Sequence, residues 1–135
     1  MTIKKQSFSF SPAENVPQQV GPFCHATQWG NQLFVTGQMP TDPATGKLVE
    51  GDVVVQANQV RRNLEAVLKQ FSLTLDDCLM VRVYLTSFDD YDAFNADYKT
   101  WFKGPLPSRT CVGVTGLAVG ALVEIDLTAG IPDER

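Results

Sequence analysis

From Val53 to Phe71 the apolar residues Val53, Ala57, Val60, Leu64, Val67, Leu68 and Phe71 recur at spacings of three and four. On a helix of 3.6 residues per turn they form one stripe, which predicts an amphipathic helix packed by a single face. Asp52 stands where a carboxylate can accept the free amides of a first turn, so it is the expected N-cap. Gln59, Arg61, Arg62 and Lys69 fall mostly off the stripe, and the Arg61-Arg62 pair reads as a solvated face. A second helix is predicted from Asp89 to Phe102, with Tyr91, Phe94, Tyr98, Trp101 and Phe102 along one face. That aromatic stripe reads as helix-on-sheet packing, with a ligand platform as the alternative. Gly104-Pro105-Leu106-Pro107 ends the helix, because proline cannot continue its hydrogen bonding.

Elsewhere the period is two. Lys5 to Phe10 alternates polar and apolar and predicts an edge strand, and Gln32 to Thr36 predicts a strand entering Gly37-Gln38-Met39-Pro40. Leu79, Val81, Val83 and Leu85 alternate with Cys78, Met80, Arg82 and Tyr84, a strand with one strongly apolar side. The last strands are Ser108 to Val114 and Leu122 to Ala129, joined through Thr115 to Gly120. Ser11 to Pro22 reads as a loop, and Pro40 to Gly46 is dense in turn residues. Two helices among about six short strands imply an α+β layer with both helices on one face of a mixed sheet. Two helices cannot cover both faces, so the other is wet or lies against another subunit.

Composition sharpens this picture mainly by exclusion. The 135 residues make one domain, 1–135, and a chain of that size buries roughly two-thirds of its unfolded surface without needing disulfides or metal. The net charge is −4, and no basic cluster exceeds Lys4-Lys5 and Arg61-Arg62. Neither nucleic acid nor an anionic membrane is an expected partner, since both need a basic face. No apolar run approaches the ~20 residues of a membrane span, and Met1 to Ser9 has no signal-peptide core. Cys24, Cys78 and Cys111 are odd in number and far apart, which fits a reducing, cytoplasmic setting. His25 is the single histidine and reads as a strand or loop residue rather than a base. With no CxxC, HxxxH, GxSxG, GxGxxG or GxxxxGKS motif, no metal and no cofactor are expected.

Alternation sets Arg109, Cys111 and Gly113 on one side of their strand, and Glu124 and Asp126 on one side of theirs. A guanidinium on a stiff strand is a good fork for a carboxylate, offering two parallel donors and a permanent charge. A hairpin between the last two strands would bring Glu124 near Arg109 and Cys111. Taken alone, the same residues also read as a salt bridge beside a packed thiol.

Pro107-Ser108-Arg109-Thr110-Cys111-Val112, followed by Leu117 and Leu122-Val123-Glu124-Ile125, closely resembles the signature of the RidA family, also called YjgF. Gly21-Pro22-Phe23, Thr36-Gly37-Gln38-Met39-Pro40, Asp42-Pro43-Ala44-Thr45-Gly46 and Asn95-Ala96-Asp97-Tyr98 match further blocks in order, from about Gly21 to Ile131. The resemblance implies a chorismate-mutase-like α+β subunit assembled as a homotrimer, with clefts at subunit interfaces. It implies hydrolysis of 2-aminoacrylate, 2-iminopropanoate and 2-iminobutanoate, released by pyridoxal-phosphate enzymes such as threonine dehydratase, to 2-oxo acids and ammonia.

Carried over, Arg109 grips the substrate carboxylate, Thr36 and the Gly37 backbone line the reacting end, and Asn95 and Cys111 complete the pocket. Glu124 orients or deprotonates the attacking water, while Cys111 lines the site rather than acting as a nucleophile. Many family deaminases carry tyrosine where this chain has Phe23, so substrate preference is the property that position bears on. Two other functions remain open on sequence: a non-catalytic module that holds small carboxylates such as 2-oxo acids, and an endoribonuclease or translation inhibitor. The acidic charge speaks against the last.

Overall fold

In the computed structural model, which describes residues 2–133, the strands are β1 (Gln6–Phe8), β2 (Ala26–Trp29), β3 (Gln32–Gln38), β4 (Cys78–Leu85), β5 (Ser108–Gly113) and β6 (Val123–Gly130). The helices are α1 (Val53–Lys69) and α2 (Tyr91–Tyr98). The strands form one mixed sheet in the order β1-β2-β3-β6-β4-β5. Every neighbouring pair is antiparallel except β4 and β5, which run parallel because α2 carries the chain across between them. Asp52 caps α1 as expected, its Oδ1 accepting the Val55 amide at 3.0 Å.

Both helices cover one face. Leu33 and Val35 of β3, Val81, Val83 and Leu85 of β4, and Val123, Ile125, Leu127 and Ala129 of β6 meet Val60, Leu64 and Val67 of α1 and Phe94 of α2 in a single core. The alternate positions project from the opposite face, where Phe34 and Val112 are exposed at 41% and 42%. There Asp126 accepts from Arg82 Nε at 2.7 Å and from the Tyr84 hydroxyl at 3.0 Å.

Several local expectations give way to specific causes. The segment Ala26–Trp29, absent from the sequence reading, is a strand paired with β3 through the tight turn Gly30-Asn31, with Gly30 at φ 60°. The first strand stops at Phe8 because the Phe10 amide donates to His25 Nδ1 at 2.9 Å. The second helix is α-helical only over Tyr91–Tyr98, flanked by 3₁₀ turns at Phe88–Asp90 and Lys99–Trp101. Asp97 tightens its end, its carboxylate accepting from Trp101 Nε1 and its carbonyl from the Thr100 hydroxyl. In β4 a register shift between Cys78 and Met80 turns Leu79 outward, 54% exposed, and Cys78 into the core. Burial there, followed by the charges of Asp77 and Asp76, pushes the Cys78 thiol up to about 12.

Off its apolar stripe α1 also buries polar residues: Gln59, together with Gln56 and Asn63. Asn63 Nδ2 donates to the carbonyls of both Met39 and Thr41 at 2.9 Å, while its Oδ1 accepts from Gln59 Nε2. Gln56 donates to the Val49 carbonyl and accepts the Leu122 amide at 2.8 Å. This buried amide row ties the loop after β3 and the entry to β6 onto α1. Asn63→Ala leaves two carbonyls and a glutamine amide unpaired, so it is expected to cost about 2–4 kcal/mol in a urea titration.

His25 is structural. It is 1% exposed, and because its Nδ1 accepts from Phe10, its Nε2 carries the proton that goes to the Pro17 carbonyl at 2.8 Å.

Candidate functional site

The sheet register assigns each expected site residue to a face. Arg109 pairs with Val81, and Val81 with Leu127, while Cys111 pairs with Val83, and Val83 with Ile125. All four of those apolar partners are core residues, so Arg109 and Cys111 lie on the helix-covered face. Glu124 pairs with Tyr84, and Tyr84 with Val112, on the open face. The expected hairpin between the last strands is therefore absent: β4 lies between β5 and β6. Within one chain Arg109 and Glu124 project from opposite sides of a single layer of strands.

The Arg109 side is built by β5 and α2. Residues 91, 94, 95 and 98 share one helix face by spacing, and three of them are aromatic rings beneath the guanidinium. Arg109 Cζ lies 4.9 Å from the ring centroid of Tyr98 and 5.8 Å from those of Tyr91 and Phe94. Its Nη2 donates to the Tyr91 hydroxyl at 3.4 Å. The ion pairs among the described residues are Arg61–Glu65 and Arg82–Asp126, so Arg109 is held by aromatic faces with no carboxylate of its own.

On the same helix, Asn95 Oδ1 and the Tyr98 hydroxyl are buried without a hydrogen-bond partner. Burial, eased by Arg109 and reinforced by Cys78, pushes the Tyr98 hydroxyl up to about 12. The Cys111 thiol is also pushed up, since burial outweighs the nearby Arg109 charge. A raised thiol is a poor source of thiolate, which suits Cys111 to lining a site rather than attacking a substrate.

The Glu124 side is built by β3, β6 and the loop before β2. The β3–β6 register shifts between Val35 and Gln38, so Thr36 and Gly37 together oppose Asp126 as a bulge. Glu124 lies directly against Gly37: a Cβ built on that glycine would overlap Glu124 Oε2. Burial, then the Asp126 carboxylate, pushes the Glu124 carboxyl above its ordinary value. Phe23, Thr36 and Gly37 line a cleft of about 430 Å³ on this face, with Arg82 and Asp126 on its far side.

The sequence-derived residues thus fall into two half-sites, Arg109, Cys111 and Asn95 on one face, and Phe23, Thr36, Gly37 and Glu124 on the other. The aromatic seat under Arg109 is visible in the sequence as a stripe that reads as packing or as a ligand platform, without its link to Arg109. Its signal was the spacing of Tyr91, Phe94 and Tyr98, whose purpose depends on where β5 runs.

The chain is a mixed-sheet α+β subunit with an arginine that has no carboxylate partner among the described residues on one face and a carboxyl of raised proton affinity on the other. The chain belongs to the RidA/YjgF family: a family model described as Endoribonuclease L-PSP matches residues 13–131. A RutC family protein of Pyrococcus horikoshii is 39% identical over 116 residues, 86% of this chain and 92% of the relative. The 2-iminobutanoate/2-iminopropanoate deaminase of Mus musculus is 35% identical over 113 residues, 84% of each chain. Among solved structures, a Rid-family protein of unknown function from Yersinia pestis superposes with TM-score 0.88 at 36% identity, covering 95% of this chain and all of that one. The E. coli protein TdcF with bound serine superposes at 0.87 with 27% identity, over 94% of this chain and all of the other.

Proposed function

We propose that this protein hydrolyses reactive 2-imino and enamine carboxylates to 2-oxo acids and ammonia, as a homotrimer with each site shared between two copies. The observation that carries the reading is the pairing of chemically complementary half-sites on opposite faces of the sheet. Arg109 is a charged fork with no carboxylate partner among the described residues, and Glu124 is a carboxylate with a raised proton affinity beside an open cleft. Support comes also from the mouse relative, named for 2-iminobutanoate and 2-iminopropanoate, and from TdcF, whose structure holds a small amino acid.

The chemistry needs few groups. Arg109 of one copy binds the substrate carboxylate bidentately, and Asn95 and Cys111 flank it. An enamine first takes a proton on carbon to become the iminium. Water held by Glu124 of the next copy then adds its oxygen to the iminium carbon, giving one proton to that carboxylate as the C=N electron pair moves to nitrogen. The carbinolamine nitrogen takes the proton back from Glu124. The C–N bond breaks as the hydroxyl gives its proton to the Glu124 carboxylate and its oxygen forms the carbonyl, and that proton then leaves on the ammonia, giving a 2-oxo acid and ammonium. Because the iminium is already electrophilic, positioning and modest acid–base help suffice. A carboxyl raised above the usual glutamate range makes the stronger base for this exchange.

The test couples the protein to threonine dehydratase and follows semicarbazone formation from the transient imine. The purified protein is expected to suppress the semicarbazone, and Arg109→Ala to lose that effect while assembling normally. Unchanged semicarbazone with wild-type protein would reject the reading. Binding of 2-oxo acids without turnover would instead favour a carboxylate-holding module. Gly37→Ala is expected to push the Glu124 carboxylate from its seat and lower kcat about a hundredfold or more in the same assay, with a smaller loss of thermal stability. RNA cleavage by purified protein that persists in Arg109→Ala would point to the activity in the family model's description.

A further inference from the structure

We infer that a pocket beside Gly37 receives the substrate's side chain, and that its preferred substrates are 2-imino acids with branched aliphatic or aromatic side chains. The inference rests on the imine-hydrolysis reading above and specifies its substrate class.

The pocket has a volume of about 160 Å³; Val20, Phe23, Met39, Leu48 and Val119 form its apolar wall beside Gly37, and the neutral polar Gln18, Gln19, Gln38 and Thr41 also line it. It adjoins the proposed reacting centre, because Phe23 and Gly37 line both this pocket and the open-face cleft, and Gly37 is the residue that Glu124 lies against. The carbon attacked by water bears three groups. With its carboxylate drawn to Arg109 of the neighbouring copy and its nitrogen exchanging protons with Glu124, the side chain is left to enter the space beside Gly37.

Size and polarity select the occupant. An apolar protein cavity of ~150 Å³ holds a benzene molecule, so a pocket of this volume accepts an isobutyl or benzyl group and is left mostly empty by a methyl group. None of its lining residues is Asp, Glu, Lys or Arg, so it offers no countercharge to a charged side chain. His25 contributes to the lining, but both ring nitrogens are engaged, by Pro17 and Phe10, leaving its carbon edge for contact.

The walls are also preformed. Asn63 pins the Met39 and Thr41 carbonyls, and a bridge between Thr41 and Leu48 closes the loop that carries Leu48. At the rim, Val119 adopts φ 54° and ψ 19°, a left-handed conformation rare for a β-branched residue, and strain of this kind concentrates where a side chain is held for use.

The experiment generates 2-imino acids in place from alanine, leucine and phenylalanine with an amino-acid oxidase, and reads imine consumption by semicarbazide trapping. Wild-type kcat/KM for the leucine- or phenylalanine-derived imine is expected to exceed that for the alanine-derived imine by about tenfold or more, as an apolar pocket discriminates added carbons. Leu48→Trp, which fills the pocket, is expected to bring that ratio to within about threefold. Met39→Phe narrows the opposite wall and serves if the tryptophan variant does not fold.

Equal rates on the three imines, preference for the alanine-derived one, or a ratio unmoved in both variants would overturn the inference. If no imine is consumed, the hydrolase reading fails and the pocket is judged separately by calorimetry. Phenylpyruvate binding about tenfold more tightly than pyruvate would uphold it, and equal affinity would overturn it.

Discussion

Co-expressing two inactive variants, Arg109→Ala and Glu124→Gln, is expected to yield mixed assemblies with about a quarter of wild-type activity, because random mixing pairs an intact arginine with an intact glutamate at about one site in four. Each variant alone is expected to fall by roughly two orders of magnitude or more, for loss of a carboxylate anchor or of a general base. The recovery follows from the register, which sets Arg109 on the Val81–Leu127 side and Glu124 on the Tyr84–Val112 side. A chain carrying both substitutions, co-expressed with Arg109→Ala, is expected to restore nothing, since no intact Arg109 is present. The coupled imine assay on co-purified, differently tagged chains checks all of these outcomes. Failure of the single variants to complement would mean that both groups act from one chain, or that one of them does not act at all.

Glu124→Gln carries a second expected result in which activity and stability move in opposite directions. Burial and Asp126 raise the folded-state carboxyl above its ordinary value. A group raised on folding favours the native state fully below the unfolded value, and that contribution is lost as pH rises through the folded one. Above that window the wild-type protein bears an ionised, partly desolvated carboxylate that glutamine does not. Glu124→Gln is therefore expected to unfold at equal or higher temperature than wild type near neutral pH, with a flatter pH dependence from the ordinary glutamate range upward. Thermal melts from pH 4 to pH 8 measure this directly. Turnover should fall roughly 10²- to 10⁴-fold, the usual worth of a positioned general base. The residual activity should lose the acid limb that wild-type kcat shows as pH drops through the raised carboxyl value.

How much of this was legible beforehand differs by element. The α1 stripe from Val53 to Leu68 and the alternation along Val81–Leu85 and Val123–Leu127 are local periodicities, and each became core as written. Ala26–Trp29 escaped because Ala-Thr-Gln-Trp has no apolar alternation. Its readable signal was Gly30-Asn31, a two-residue turn before an evident strand. The buried role of Asn63 is not legible locally, because an amide in the core is justified only by the carbonyls it meets, and Met39 and Thr41 lie more than twenty positions away.

Most consequential, adjacency of the last two strands in sequence suggests a hairpin that the sheet does not contain. Nothing within 108–130 reveals that β4 lies between β5 and β6, since that order reflects long-range pairing through α2. The sequence named Phe23, Thr36, Gly37, Asn95, Arg109, Cys111 and Glu124 as candidate site residues. Their division between two faces was not accessible without the fold.

That division constrains assembly symmetry. In a two-fold dimer each copy presents the same patch to the other, and surfaces pointing away from each other across a flat layer cannot both belong to one such patch. Joining the arginine face of one copy to the glutamate face of the next is a head-to-tail contact, which either closes into a ring or continues as a filament. Three is the smallest number that closes such a ring, and closure leaves no arginine or glutamate face unmatched. A dimer broken from that ring would hold one complete site for two chains, so specific activity should fall faster than ligand-free fold on dilution.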